Sequence, residues 1–256
     1  GAGFHEAYTW TLVPAGNGRI ELAEPYSVEL AALRTDLQHG LLESARRNAN
    51  AGVDRIALFE LARVFLPDLV PSHAPGPGPG LPTERWHVAG IVDGGFFRAK
   101  GAVETLYRAL GVGLTVERAD GRAARTPDGV IRELDEGWGY FELDLDGLFE
   151  RVDDVSLYED VITYPAVKQD LAFAVDEGVT AGELIAAAHE AAGPELRELR
   201  VFDVYRGPQV GEGRKSIAFA AAFQSPERTL SDEDAARLRE RIVRALAERF
   251  GAELRA

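Results

Sequence analysis

The sequence predicts an α+β protein of two domains: residues 1–162 around a mostly antiparallel sheet, and residues 163–256 in the order β-α-β-β-α-β. Three observations predict it. Strand-like and helix-like periods alternate in the first part without repeated β-α-β units. After Thr163-Tyr164-Pro165 the pattern becomes regular, with caps and stops in place. A hydrophobic share of 46% in 256 residues supports real cores, while the longest apolar runs fall far short of the roughly 20 residues of a membrane span.

In the first domain, His5 to Leu12 reads as a strand. Leu33, Leu37, Leu41 and Ala45 recur at four-residue steps and predict a helix from Leu33 to about Ala49. Ile56 to Phe65 is a mostly apolar strand with Glu60 inside it. A carboxylate in such a place needs a partner, and Arg63 or Arg34 can supply one, so a structural ion pair is expected rather than a catalytic acid. Pro67 to Pro82 holds six prolines and three glycines in 16 residues, which predicts a long exposed loop. It reads equally as a linker or as an insertion within one domain. His87 to Val92 is a strand, Ala102 to Leu110 a helix stopped by Gly111, and Tyr140 to Leu145 a last strand. The acidic runs Asp144–Glu150 and Asp153–Asp160 read as solvated faces.

In the second domain, Leu171, Phe173 and Val175 alternate as a strand with one buried face. Thr180-Ala181-Gly182-Glu183 is a capping box, and the helix it opens stops at Gly193-Pro194. Leu196 to Tyr205 is a second strand, Gly207 to Gly213 a turn-rich loop, and Lys215 to Gln224 a third strand with Ile217, Phe219 and Phe223 on one face. Ser231 with Asp232, Glu233 and Asp234 opens a long helix, where acids suit the positive end of the dipole. Leu238, Ile242, Ala245 and Leu246 line its buried side until Gly251, and Ala252 to Arg255 can add an edge strand. The order is that of the ferredoxin-like split βαβ, with both helices on one sheet face and the other face open.

Composition excludes several chemistries. The net charge is −14, with −11 in residues 1–162 and −3 in 163–256, so neither part has the basic excess of a sequence-blind nucleic-acid binder. Zero Cys excludes disulfides, thiolate metal sites and cysteine nucleophiles. Zero Met with Gly1 first leads us to expect a piece of a longer chain. Gly211 to Ser216 resembles a phosphate-binding loop but lacks Gly before Lys215 and is followed by a strand. His5, His39, His73, His87 and His189 share no metal-ligand spacing, and no Gly-x-Ser-x-Gly elbow occurs. The expectation is no catalytic residue and no metal ligand in this chain.

Several segments resemble the C-terminal part of the bacterial phenylalanyl-tRNA synthetase beta-subunit family. Tyr164 to Phe173 resembles its Pro-x-x-x-Arg-Asp-Leu-x-Phe opening, Leu199 to Gly207 its Phe-Asp-x-Tyr-x-Gly strand, Lys215-Ser216 its Lys-Ser strand, and Arg228-Thr229-Leu230 its entry into the last helix. In the first half, Glu24-Pro25-Tyr26-Ser27 through Leu33-Arg34-Thr35-Asp36-Leu37 and Leu58 to Phe65 are similar to segments of the family's catalytic-like core, as are Phe96-Phe97 with Ala99-Lys100-Gly101 and Glu142 to Leu145. Glu24 stands for the usual Asn, Ala62 for the usual Gly, and residues 115–139 are shortened.

The resemblance implies a class II synthetase-like domain without an active site, followed by a ferredoxin-fold anticodon-binding domain. It implies that no cofactor is bound by this segment; ATP and Mg2+ are used by the holoenzyme, whose alpha subunit makes the adenylate in a cytoplasmic α2β2 heterotetramer. The first domain would hold alpha, with the Leu33–Ala49 helix as the expected contact unless its stripe is core. The second would bind tRNA(Phe). With Phe202 and Val204 toward the helices, Asp203 and Tyr205 face the open side beside a row of Ser216, Ala218, Ala220 and Ala222. Small side chains leave room for an unstacked base, Tyr205 can stack on it and Ser216 can bond its edge. Arg206, Lys215 and Arg228 are expected around that face to meet phosphates. A ligand-sensing module or a pure assembly scaffold of the same fold would lack this RNA contact.

Overall fold

The computed structural model describes residues 3–70, 81–119, 121–153 and 162–255. The chain divides into two compact units, Gly1–Ser156 and Leu157–Ala256. The sequence-based boundary at 162/163 falls beside residues 154–161, which lie outside the described residues together with most of the acidic run Asp153–Asp160.

Unit 1 contains β1 (His5–Glu6), β2 (Leu12–Val13), β3 (Ile20–Glu21), β4 (Ala32–Leu33), α1 (Gln38–Asn50), β5 (Ala57–Val70), β6 (Leu81–Val92), α2 (Gly95–Leu110), β7 (Glu117–Ala119), β8 (Ala123–Thr126), β9 (Gly129–Glu133), β10 (Gly139–Asp144) and α3 (Leu145–Phe149). Among the described residues, one sheet runs β1-β5-β6-β10-β9-β8-β7, antiparallel except where β1 meets β5. The two-residue period of its strands divides their side chains between two cores. Leu41 and Ala45 of α1 pack with Val64, Ala89, Ile91 and Tyr140. Ala99, Val103 and Tyr107 of α2 pack with Val92, Ile131, Phe141 and Leu143. Covered on both faces, β10 buries five of its six residues, which is why it shows no polar–apolar alternation.

Three expectations for this unit change. His5 to Leu12 is not one strand, because Thr9 turns its amide and hydroxyl to the Glu60 carboxylate (3.3 and 2.7 Å) instead of to a ladder. The helix begins at Gln38, not Leu33. Leu33 pairs with Leu12 and Ile20 in a small sheet, β2-β4-β3. The amides of Gln38 and Leu37 donate to Asp36 Oδ1 (3.0 Å) and Glu142 Oε1 (3.2 Å), so side chains satisfy the donors of the first turn there. Pro67–Pro82 is not an interdomain linker: β5 and β6 pair as far as Val70 and Leu81, with a register shift between Leu66 and Leu69 that accommodates Pro67. Residues 71–80 of that stretch lie outside the described residues. Where the sequence offered no elements, β7 to β9 form a meander of short Arg-, Ala- and Gly-rich strands with no clear period.

Unit 2 contains β11 (Val167–Asp176), α4 (Ala181–Ala192), β12 (Leu196–Tyr205), β13 (Arg214–Phe223), α5 (Asp232–Phe250) and β14 (Glu253–Arg255). Its sheet order, β12-β13-β11-β14, is the ferredoxin-like one expected from the sequence. The Thr180–Glu183 capping box is present. A second one joins Ser231 and Asp234, and Gly251 ends α5 in the left-handed conformation (φ 62°). Leu184 and Ala188 of α4 and Leu238, Ile242 and Leu246 of α5 bury one sheet face with Leu171, Phe173, Ile217, Phe219 and Phe223.

Candidate nucleic-acid interface

The face of unit 2 away from the helices is set by the register of β12 on β13. Leu199, Val201 and Val204 pair with Ala221, Phe219 and Ile217 on the helix side. Glu198, Arg200, Asp203 and Tyr205 pair with Ala222, Ala220, Ala218 and Ser216 on the open side. Two register shifts in β12, at Leu196/Glu198 and Val201/Asp203, make this assignment. The second corrects the expectation for Phe202. It is the surplus residue of a bulge, 52% exposed, and does not turn into the helix-side core.

Tyr205 ends β12 and is 37% exposed. Its phenol lies against Gly207: a Cβ there would stand 2.3 Å from the Tyr205 hydroxyl, so only glycine admits this ring position. Ser216 is flanked in register by Ala174 and Tyr205 and is only 5% exposed. Ala218, Ala220 and Ala222 are half-buried, and Asp203 is exposed. Arg200 and Lys168, both exposed and in register with Ala220 and Ala222, bring cations to this face. Alternation from Leu171 and Phe173 already places Lys168 on this side, whereas Arg200 reaches it only through the bulge at Phe202.

The three expected phosphate contacts separate. Arg206 stands next to Tyr205, and its guanidinium grips Glu177: Nε to Oε1 3.0 Å, Nη2 to Oε1 2.8 Å, Nε to Oε2 3.2 Å. That contact holds the Glu177 carboxyl below its usual range and raises Arg206. Lys215 does not border the open face. As the neighbour of Ser216 it points to the opposite side, is 8% exposed, and donates to the Glu177 carbonyl (2.6 Å). Arg228 follows the far end of β13, whose last residue, Phe223, is about 23 Å from Ser216 at strand rise. Its guanidinium holds Asp234 (2.5 and 3.0 Å), so it belongs to the cap of α5. Beside Tyr205, the loop after β12 encloses an open depression of ≈ 430 Å³ lined by Glu177, Arg206, Gly207, Pro208, Gly211 and Arg214, among others.

In unit 1 the Glu60 carboxylate is 2% exposed and meets Arg34 Nη1 at 2.9 Å, whereas Arg63 pairs with Glu84. Glu142 accepts from Leu37 N and Tyr140 Oη and lies 2.7 Å from His87 Nδ1. Burial, foremost, and then the Glu142 charge push the Tyr140 hydroxyl well above its ordinary value. The stripe of α1 is core, with Leu41 and Ala45 fully buried, so it is not a free contact face. Among the described residues, no group of three or more His, Cys, Asp or Glu side chains could hold a metal ion, and no helix is long and apolar enough to cross a membrane.

Comparison with known proteins agrees with this architecture. The family model "Ferredoxin-fold anticodon binding domain" matches residues 163–255, and "Phenylalanyl tRNA synthetase beta chain CLM domain" matches residues 1–127. The phenylalanine–tRNA ligase beta subunit of Bifidobacterium longum is 36% identical over 93% of this chain and 33% of its own length. That of Geobacillus kaustophilus is 32% identical over the whole chain and 36% of its own length. A solved pyrrolysyl-tRNA synthetase of Desulfitobacterium hafniense aligns with TM-score 0.44 and 14% identity over 57% of this chain and 60% of its own. The two family matches and the ferredoxin-like sheet define a tRNA synthetase segment that ends in an anticodon-binding fold. More particularly, the chain belongs to the phenylalanine–tRNA ligase beta-subunit family. It spans about a third of the length of the curated relatives it matches.

Proposed function

We propose that this chain is the part of a phenylalanine–tRNA ligase beta subunit that binds the anticodon of tRNA(Phe) and supports an alpha subunit, without carrying out the chemistry itself. The observation that carries the RNA reading is the open sheet face of unit 2, where Tyr205 borders a row of small residues within a segment matching an anticodon-binding family. A base stacks on the Tyr205 ring, its edge meets Ser216, Asp203 and Ala218 border it, and Arg206 takes a phosphate. For unit 1, the exposure of Tyr8, Trp10 and Tyr26 (85, 77 and 93%) supports a role as a protein-binding surface, and the occupant we assign is alpha in an α2β2 tetramer. ATP, Mg2+ and phenylalanine are then handled by alpha, in the cytoplasm.

Base–aromatic stacking is worth about 1–3 kcal/mol, so Tyr205→Ala should weaken tRNA binding by about tenfold or more in the complete synthetase. The check is the aminoacylation KM for tRNA, measured beside that of a tRNA with a substituted anticodon. If the anticodon change raises KM while Tyr205→Ala leaves it unchanged, the anticodon is read elsewhere.

A further inference from the structure

Resting on the reading that this face receives RNA, we propose that Glu177 is a latch on Arg206: its carboxylate fills the guanidinium fork that an RNA phosphate would occupy, so RNA takes Arg206 only by displacing Glu177. The planar fork of an arginine accepts carboxylate and phosphate in the same bidentate geometry, and here both carboxylate oxygens lie within 3.2 Å of it. Arg206 directly follows Tyr205 at the end of β12, and Gly207, against which the Tyr205 phenol lies, lines the same depression as the fork.

Glu177 is anchored in advance. Its amide donates to Gly213 O (2.8 Å), and its carbonyl accepts from the buried Lys215 ammonium (2.6 Å), which also lies 3.9 Å from the carboxylate. The main chain therefore stays in place when the side chain lets go. Both partners are half exposed (58 and 49%), so exchange with an incoming phosphate requires no unfolding. The depression lined by both residues leaves room for that phosphate to approach.

The consequence is sequence-blind. A phosphate contact carries no base information, so the latch lowers affinity for every RNA by the same factor, while the edge contact at Ser216 distinguishes among them. In a segment of net charge −3 this weakens the hold of one exposed arginine on any polyanion it meets.

The test is equilibrium binding by the complete synthetase of tRNA(Phe) and of the same tRNA with a substituted anticodon. Glu177→Gln keeps the side-chain shape and the main-chain anchors. It should tighten binding of both RNAs by about two- to fivefold, the range of an exposed ion pair, with the gain largest at low salt. The gain should vanish in an Arg206→Ala background. No tightening, or a gain that survives Arg206→Ala, overturns the latch, since the carboxylate would then be idle or act by general repulsion. Failure of the underlying reading looks different: Tyr205→Ala without effect on either RNA removes the anticodon site, and the latch with it.

Discussion

The Arg34–Glu60 pair shows how much a single buried residue dictates. Glu60 lies in the middle of β5 at 2% exposure, and its oxygens are met by Arg34 and by the hydroxyl and amide of Thr9. Arg34 also donates through Nε to the Arg63 carbonyl (3.0 Å), so one guanidinium ties the chain before α1 to β5. Arg34→Ala would leave a buried carboxylate with only Thr9. We expect a loss of about 3–5 kcal/mol, read as a lowered unfolding midpoint in denaturant, with Arg63→Ala costing far less because its pair with Glu84 is exposed. Equal losses from the two would mean that Glu60 is not the burdened group. The sequence left both arginines open, although alternation already separates them: three residues apart on a strand, Glu60 and Arg63 face opposite sides. The same rule separates Lys215 from Ser216. Of the expected interface, Asp203, Tyr205, Ser216 and Ala218 do share one face, while Lys215 and Arg228 are taken up by Glu177 and Asp234.

At the scale of elements, caps were legible and bulges were not. Thr180 and Glu183 announce α4 because a capping box is a local pattern of four residues. The shifts in β12 depend on what β13 offers across the ladder, so nothing within Leu196–Tyr205 reveals them. Residues of α1 show the intermediate case: its stripe was readable, but its start is fixed partly by Glu142, 105 residues away. The start of α5 makes a measurable prediction. Arg228 foremost, then the Ser231 amide, hold the Asp234 carboxyl far below its ordinary range. A depressed carboxyl stabilises the fold fully above its unfolded value near pH 4, and the contribution declines as pH falls toward the folded value. Asp234→Asn should therefore lower the melting temperature at neutral pH, and its gap to the parent chain should narrow below about pH 4. A gap that stays constant into acid would show that the charge is not what holds the cap.

At the scale of the whole molecule, the order β-α-β-β-α-β was legible because each element of residues 163–256 carries its own start, period and stop, whereas the first unit hides β7 to β9 in a segment with little periodicity. That difference bears on autonomy. The core of the second unit is drawn from Leu171 through Ala252 without a gap in its sheet: β14 at the C-terminal end pairs with β11 at the beginning, and α4 and α5 cover one face. A chain that supplies both edges, both helices and all its caps needs no outside strand to bury its apolar side chains. Residues 163–256 expressed alone should accordingly fold and melt in one cooperative transition, with far-UV and near-UV circular dichroism giving coincident midpoints. The near-UV signal is informative because Phe173, Phe219 and Phe223 are all fully buried in that core. A broad melt, or a near-UV signal lost before the helical one, would mean that the second unit depends on residues before Thr163, and the boundary proposed there would be wrong.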